Sequence, residues 1–362
     1  MADKTGIEWT DATWNPVTGC AKVSQGCKHC YAEREWPRMT KLVPAYSGRE
    51  FTDVRTHADR LDQPLRWKKP RMIFVNSMSD LFHEDVPDLF IDQAFAVMAL
   101  APQHIFQVLT KRPERMREYL SSTDVVQRVI HQAFKLDCEA GAWMNADHNI
   151  GGYEIMPLPN VWLGVSVENQ AAADERIPLL LDTPAAVRWI SAEPLLGPVD
   201  LSRIQYEVIG PSGSVHYRRP LTDTKLLNEA KAAPGYSAAA LDWVVVGGES
   251  GPKARPMHPQ WARSLRDQCA AAGVPFLFKQ WGEWTEEDPG ETAHKDCAGV
   301  LPSGGAALCS EGYQPPWDTM ERLEQSEGVR LDGRTLMFNV GKKRAGRLLD
   351  GVQHDGYPVG AV

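Results

Sequence analysis

The sequence predicts an α/β fold, a partial (β/α) barrel of about six to seven parallel strands with loop insertions. Three observations lead there. Short apolar runs rich in β-branched and aromatic residues recur at 72–75, 105–109, 161–165, 187–190, 243–246 and 275–278. Most are continuous rather than alternating, the pattern of parallel strands covered on both faces. Helix-like segments lie between them, at 91–101 after Pro87, 171–181 after Asn169 and 259–272 before Gly273. Such a β-α-β-α rhythm implies a parallel sheet, open or closed.

Each run ends in a compact polar set. Asn76, Ser77, Ser79 and Asp80 follow the first, Thr110, Lys111 and Arg112 the second, and Ser166, Glu168 and Asn169 the third. Ser191 and Glu193 follow the fourth, Gly247, Gly248, Glu249 and Ser250 the fifth, and Lys279 and Gln280 the sixth. Parallel strands point their C-terminal ends to one rim, where the catalytic groups of α/β barrels collect. The plain alternative is that loops are polar anyway. A seventh strand is expected within 12–17. Stretches 136–158, 202–240 and 284–335 break the rhythm and read as insertions or rim loops. The expected organisation is one barrel domain over 1–350 carrying these insertions, then a C-terminal tail, 351–362. Lys342, Lys343, Arg344 and Arg347 suit a short basic helix or a solvated face.

The 362 residues are 43% hydrophobic, too apolar for a disordered chain. The net charge of −8 argues against bulk, non-specific nucleic-acid binding but leaves a local basic groove open. No uninterrupted apolar run reaches about 18 residues, so no membrane span is expected. Met1-Ala2-Asp3-Lys4-Thr5 does not begin a secretory signal, so the expected location is the cytoplasm.

Three of the seven cysteines, Cys20, Cys27 and Cys30, are spaced C-x6-C-x2-C, with Gly19 and Gly26 as pivots and a helix expected from near Tyr31. In a reducing compartment, clustered cysteines more often bind metal or do redox chemistry than form disulfides. Three readings are open. A structural zinc site would need a fourth ligand, such as His29 or Cys138. The thiols could be unrelated. Or they hold a [4Fe-4S] cluster with one iron left open, which S-adenosylmethionine can chelate through its amino and carboxylate groups. Reducing the cluster would then cleave the sulfonium and release a 5′-deoxyadenosyl radical.

The blocks at 7–20, 75–82, 109–113, 162–169, 191–197, 247–251 and 278–282, with the cysteine set, resemble a phage- and prophage-associated family that carries a three-cysteine motif. That family is of unassigned function and is regarded as radical-SAM-like. The resemblance covers nearly the whole chain outside the three insertions. It implies a [4Fe-4S] cluster and S-adenosylmethionine as cofactors, and host cytoplasm as the location if the chain is phage-encoded. Two departures from the broader radical-SAM pattern stand out. The commonest spacing there is C-x3-C-x2-C. The Gly-Gly-Glu element that holds the methionine amino group usually follows the second strand, whereas Gly247-Gly248-Glu249 follows the fifth run, the sixth strand when the one expected within 12–17 is counted.

Each rim residue carries a functional and a plain reading. Asn76, Ser77 and Ser79 are expected to face the methionine end of the cofactor. Ser166, Glu168 and Asn169 suit ribose hydroxyls, though Glu168 could equally cap the next helix. Gly247 and Gly248 permit close approach of backbone to a ligand, or make a tight turn, and Glu249 goes with them as cofactor-binding. The catalytic candidates are Glu193, Lys279 and Lys111. Glu193 could accept a proton or pair with Lys111 or Arg112; Lys279 and Gln280 could face substrate or solvent. Lys111 and Arg112 could bind a carboxylate or phosphate, or cap the rim. Asp80, His83, Glu84 and Asp85 read as a second metal site or as the approach to the next helix. Trp9 and Trp14 either shield the cluster or pack the core. Cys138, Cys269, Cys297 and Cys309 lack tight spacing, and Cys269 reads as core.

The leading expectation is therefore a radical S-adenosylmethionine enzyme. Its substrate, a nucleic-acid base undergoing modification or repair, comes from the phage resemblance. An electron donor and a partner protein are the expected macromolecular partners, with no membrane. The alternative is a zinc- or cluster-stabilised nucleic-acid-binding protein without catalysis, using sets such as Lys68-Lys69-Arg71 and Lys342-Lys343-Arg344. A metal-independent α/β hydrolase is disfavoured, because no G-x-S-x-G elbow follows a strand.

Overall fold

The computed structural model describes residues 5–137, 156–207, 215–221, 240–287, 295–308 and 334–359. Seven strands form one sheet in chain order: β1 (Ala12–Trp14), β2 (Met72–Val75), β3 (Ile105–Thr110), β4 (Val161–Ser166), β5 (Val187–Ala192), β6 (Trp243–Gly247) and β7 (Phe276–Gln280). Every neighbouring pair is parallel. The sheet curls into a half-barrel flanked by helices. The six apolar runs are six of these strands, and the strand expected within 12–17 is the edge strand β1.

The helices are α1 (Tyr31–Leu42), α2 (Asp88–Leu100), α3 (Pro113–Leu120), α4 (Val125–Leu136), α5 (Gln170–Leu181), α6 (Pro259–Ala272) and the short α7 (Lys342–Ala345). Their ends follow local chemistry. Asn169 caps α5, its side chain accepting from the Ala172 amide at 3.0 Å. Gly273 ends α6 in the left-handed conformation that glycine adopts without strain. No helix among the described residues is long and apolar enough to cross a membrane.

Side chains alternate between the two faces along each strand. Ile73, Val75, Leu163, Val165, Ile190, Val244, Val246 and Phe278 point outward and join the helices in the main core. Between them, Phe74, Trp162, Trp189, Trp243, Val245 and Leu277 point inward and form a separate apolar floor with Trp9. Trp9 meets Phe74 and Trp189 edge-on, at centroid distances of 4.7 and 5.2 Å. Gly164 makes room for this floor: a Cβ there would lie 2.5 Å from the Trp189 ring. Trp14 lies on the other side. It packs in the main core and donates its indole N–H to the Arg60 carbonyl at 2.8 Å.

Parts of the expected insertions have structure of their own. In 202–240, strands Ile204–Glu207 and Val215–Arg218 pair antiparallel. In 284–335, β8 (Trp284–Thr285), β9 (Cys297–Val300), β10 (Ala306–Leu308) and β11 (Thr335–Asn339) form an antiparallel sheet in the order β8-β11-β9-β10. Most of 136–158 lies outside the described residues. The tail 351–359 runs beside β7, where Phe278 N donates to His354 O and Gly356 N to Phe276 O, both at 3.0 Å. The Trp243 indole donates to Gly356 O at 2.7 Å, which fastens this tail to the floor.

Candidate functional site

Above the tryptophan floor lies a cavity of about 350 Å³. Its walls are the C-terminal ends of the strands: Lys111 from β3, Ser166 from β4, Ser191 and Glu193 from β5, Gly248 and Glu249 after β6, and Lys279 and Gln280 from β7. Gly26, Cys27, His29 and Cys30 close one side, and Trp9, Phe74 and Leu109 lie at the base. The same inward register supplies both base and wall. Trp189, Ser191 and Glu193 are successive inward positions of β5, as are Trp162, Gly164 and Ser166 of β4, and Leu277 and Lys279 of β7.

Glu193 and Lys279 form the central ion pair. Lys279 Nζ donates to both Glu193 carboxylate oxygens, at 2.7 and 2.9 Å, and Gln280 Nε2 donates to the first at 3.0 Å. The partner of Glu193 is thus Lys279 rather than Lys111 or Arg112. Gly247 leaves room for this carboxylate, since a Cβ there would stand 3.3 Å from it. Gly248 is required by chain packing, because a Cβ would run into the Trp281 carbonyl. Glu249 lines the cavity, yet its carboxylate accepts from Arg255 N and Nε, each at 2.8 Å.

Lys111 Nζ donates to Ser166 Oγ at 3.0 Å and lies 3.6 Å from Glu168. Glu168 is buried behind the wall and paired with Arg176 at 3.0 Å, and it accepts from Ser24 Oγ at 2.9 Å. Burial alone would raise its carboxyl. Lys111, Arg176 and Ser24 outweigh burial and hold it below the usual carboxylate value. Asn169 is spent on capping α5. Asn76, Ser77 and Ser79 do not line the cavity; they stitch the end of β2 to the chain leading into the cysteines. Asn76 Oδ1 accepts from Val17 N at 3.2 Å, Ser77 Oγ donates to Asn15 Oδ1 at 3.2 Å, and Ser79 Oγ donates to Val17 O at 2.9 Å. Asn76 adopts φ 59°, a left-handed backbone that Asn tolerates better than most residues.

The three cysteines sit on one loop at the rim, all half-buried and free of disulfides. Cys20 N donates to Phe51 O at 2.9 Å, and Cys30 N closes a turn on Cys27 O that leads into α1. Burial pushes the Cys20 thiol up to about 11; Asp80 adds to this and Arg112 opposes it. Burial also acts on Cys27, but Lys111, the local backbone N–H groups and Ser24 outweigh it and hold that thiol below its ordinary value. Among the described residues, no three His, Cys, Asp or Glu side chains are grouped closely enough to hold a metal ion. A single zinc requires its thiolates to converge on one point. In an iron-sulfur cluster each thiolate can take its own iron, so three thiols spread along one loop beside cationic side chains are a donor set that fits.

Arg112 turns away from the cavity toward Cys20, Asp80 and Glu84. Asp80 accepts from Thr110 Oγ1 and the Lys111 amide, and His83 and Asp85 complete the turn before α2. Cys269 is a buried thiol of α6, Cys297 is disulfide-bonded, and Cys138 and Cys309 lie outside the described residues. Sequence reasoning missed Ser24, which bonds from the cysteine loop to Glu168, and Arg176, which bonds from α5 to Ser166 O and Glu168. Ser191, named in the rim set but given no role, lines the cavity between Trp189 and Glu193.

The chain belongs to the family described as "Protein of unknown function (DUF5131)", which matches residues 4–358. No curated protein and no solved structure matches it.

Proposed function

We propose that this chain is an iron-sulfur enzyme of the radical S-adenosylmethionine type. The observation that carries the reading is a rim loop with three free thiols, two of which, Cys27 and Cys30, border the cavity formed by the polar strand ends of a parallel half-barrel, while Cys20 lies beside Arg112. Cys20, Cys27 and Cys30 would hold three irons of a [4Fe-4S] cluster and leave the fourth for the amino and carboxylate groups of S-adenosylmethionine. When bound, the cluster would supply one electron to the sulfonium, giving methionine and the 5′-deoxyadenosyl radical that takes hydrogen from the substrate.

The chain's own groups would do the rest. Lys111 and Ser166, joined at 3.0 Å, stand at the thiol side, where they can bind the cofactor's polar groups. Ser191 offers a further hydroxyl. Glu193 and Lys279 face the cavity as a pair that can orient a polar substrate and hold or release a proton at Glu193 Oε1. Trp9 and Phe74 exclude water from beneath. A nucleic-acid base as substrate, in a phage context, rests on the family resemblance. The reading also calls for an external electron donor.

The test is anaerobic reconstitution, with iron, sulfide and zinc quantified, followed by dithionite, S-adenosylmethionine and an assay for 5′-deoxyadenosine. The expected result is about four irons per chain and 5′-deoxyadenosine formed, both lost in Cys27→Ala. Stoichiometric zinc, no iron and intact S-adenosylmethionine would overturn the reading in favour of a zinc-stabilised nucleic-acid-binding protein.

A further inference from the structure

The first two cysteines are separated by six residues, too many for local turns alone to fix both thiols. Side chains from two strand ends grip this interval. At its far end, Glu168 accepts from Ser24 Oγ at 2.9 Å and fills the space where a Cβ on Gly26 would stand. At its near end, Arg112 places Nη1 3.8 Å from Cys20 Sγ and donates through Nη2 to Ala21 O at 3.4 Å. Arg112 is 8% exposed, and its guanidinium is itself fixed by Asp80 at 3.2 Å and Glu84 at 2.9 Å. Asp80 is 5% exposed, whereas Glu84 reaches solvent.

We infer that Arg112 is a positioning residue that orients the Cys20 sulfur and raises the electron affinity of the iron centre this sulfur would hold. The inference rests on the iron-sulfur reading. A buried guanidinium facing a sulfur is weakly screened by solvent. The potential of a thiolate-bound cluster responds to local charge, to hydrogen bonds on its sulfurs and to exposure. Without the guanidinium, the buried Asp80 carboxylate would face Cys20 uncompensated, and adding an electron nearby would become harder. Glu168 secures the loop through Ser24, so Arg112 is the charged side chain hydrogen-bonded to a cysteine sulfur among the described residues.

The test uses the full chain, reconstituted anaerobically as wild type, Arg112→Lys and Arg112→Met. Iron and sulfide are quantified, and the midpoint potential is read by redox titration followed by electron paramagnetic resonance. The expected result is iron retained in all three. The Arg112→Met midpoint should lie negative of wild type, with Arg112→Lys between them. Equal midpoints in wild type and Arg112→Met, both holding iron, would overturn this inference and leave the iron-sulfur reading standing. If Arg112→Met loses its iron, Arg112→Lys decides. Iron held at a midpoint at or just below wild type supports the role of the charge, and iron lost there too overturns it. A wild type without iron removes the iron-sulfur reading and this inference together.

Discussion

The lower and upper halves of the half-barrel's inner face are built on the same strands, two to four residues apart, and are held by different forces. Below, Trp162, Trp189, Trp243 and Leu277 pack with Trp9 into an apolar floor. Above, Ser166, Ser191, Glu193, Gly247 and Lys279 take inward positions two or four residues further along, where charge pairing and hydrogen bonds hold the polar side chains. The floor draws its stability from apolar area and edge-on ring contacts. The upper half has little apolar area of its own and depends on mutually satisfied polar groups. A step of two to four residues along a strand is therefore the boundary between scaffold and chemistry.

The largest expected effect tests the floor. Trp189→Ala removes a fully buried ring and should destabilise the protein by about 3–5 kcal/mol, read as a fall in the urea midpoint. A loss below 1 kcal/mol would mean the floor is not a packed unit. Next is the buried pair behind the wall. Arg176→Leu leaves Glu168 without its closest cation and should cost about 3 kcal/mol, with Lys111 and Ser24 compensating in part. Thermal melting checks this, and an unchanged melt would show that Lys111 alone suffices.

The upper half should respond the other way round. Lys279→Met is expected to change stability by only about 1–2 kcal/mol, yet to lower turnover by about 100-fold or more. That split, measured as melting temperature against 5′-deoxyadenosine-coupled activity, is what sets the two halves apart; equal losses in both would erase the distinction. The smallest effect comes from outside both halves. Burial, helped by Arg60 at His57 and by Arg263 at His258, pushes both imidazoles down to about 4 from 6.5. The folded chain therefore takes up these protons less readily than the unfolded one. The stability is present above pH 6.5 and is lost as pH falls toward 4, by roughly 1 kcal/mol per group after allowance for partial exposure. Urea midpoints measured across that range should fall less steeply in His258→Gln than in wild type.

The strands were legible because runs buried on both faces stand out as continuous apolar segments. That same continuity hid the inner floor, since Trp162 and Trp189 look no different in sequence from their outward neighbours. The rim ends of the strands were also legible, and Lys111, Ser166, Glu193 and Lys279 do meet around one cavity. What sequence could not show was which polar ends are consumed locally. Asn76, Ser77 and Ser79 bond the segment that runs into Cys20, because β1 and β2 lie side by side and their loops need mutual support. Asn169 meets the unsatisfied amides of α5. Glu193 and Lys279 are 86 residues apart in sequence and become partners only when β5, β6 and β7 lie together.

The most direct measurement is the electron paramagnetic resonance spectrum of the anaerobically reconstituted, dithionite-reduced protein with and without S-adenosylmethionine. An iron centre held by Cys20, Cys27 and Cys30 with one open position should give a reduced-cluster signal whose line shape changes when S-adenosylmethionine is added. A spectrum without an iron-sulfur signal, from protein that carries zinc at one per chain, would contradict the account at its centre.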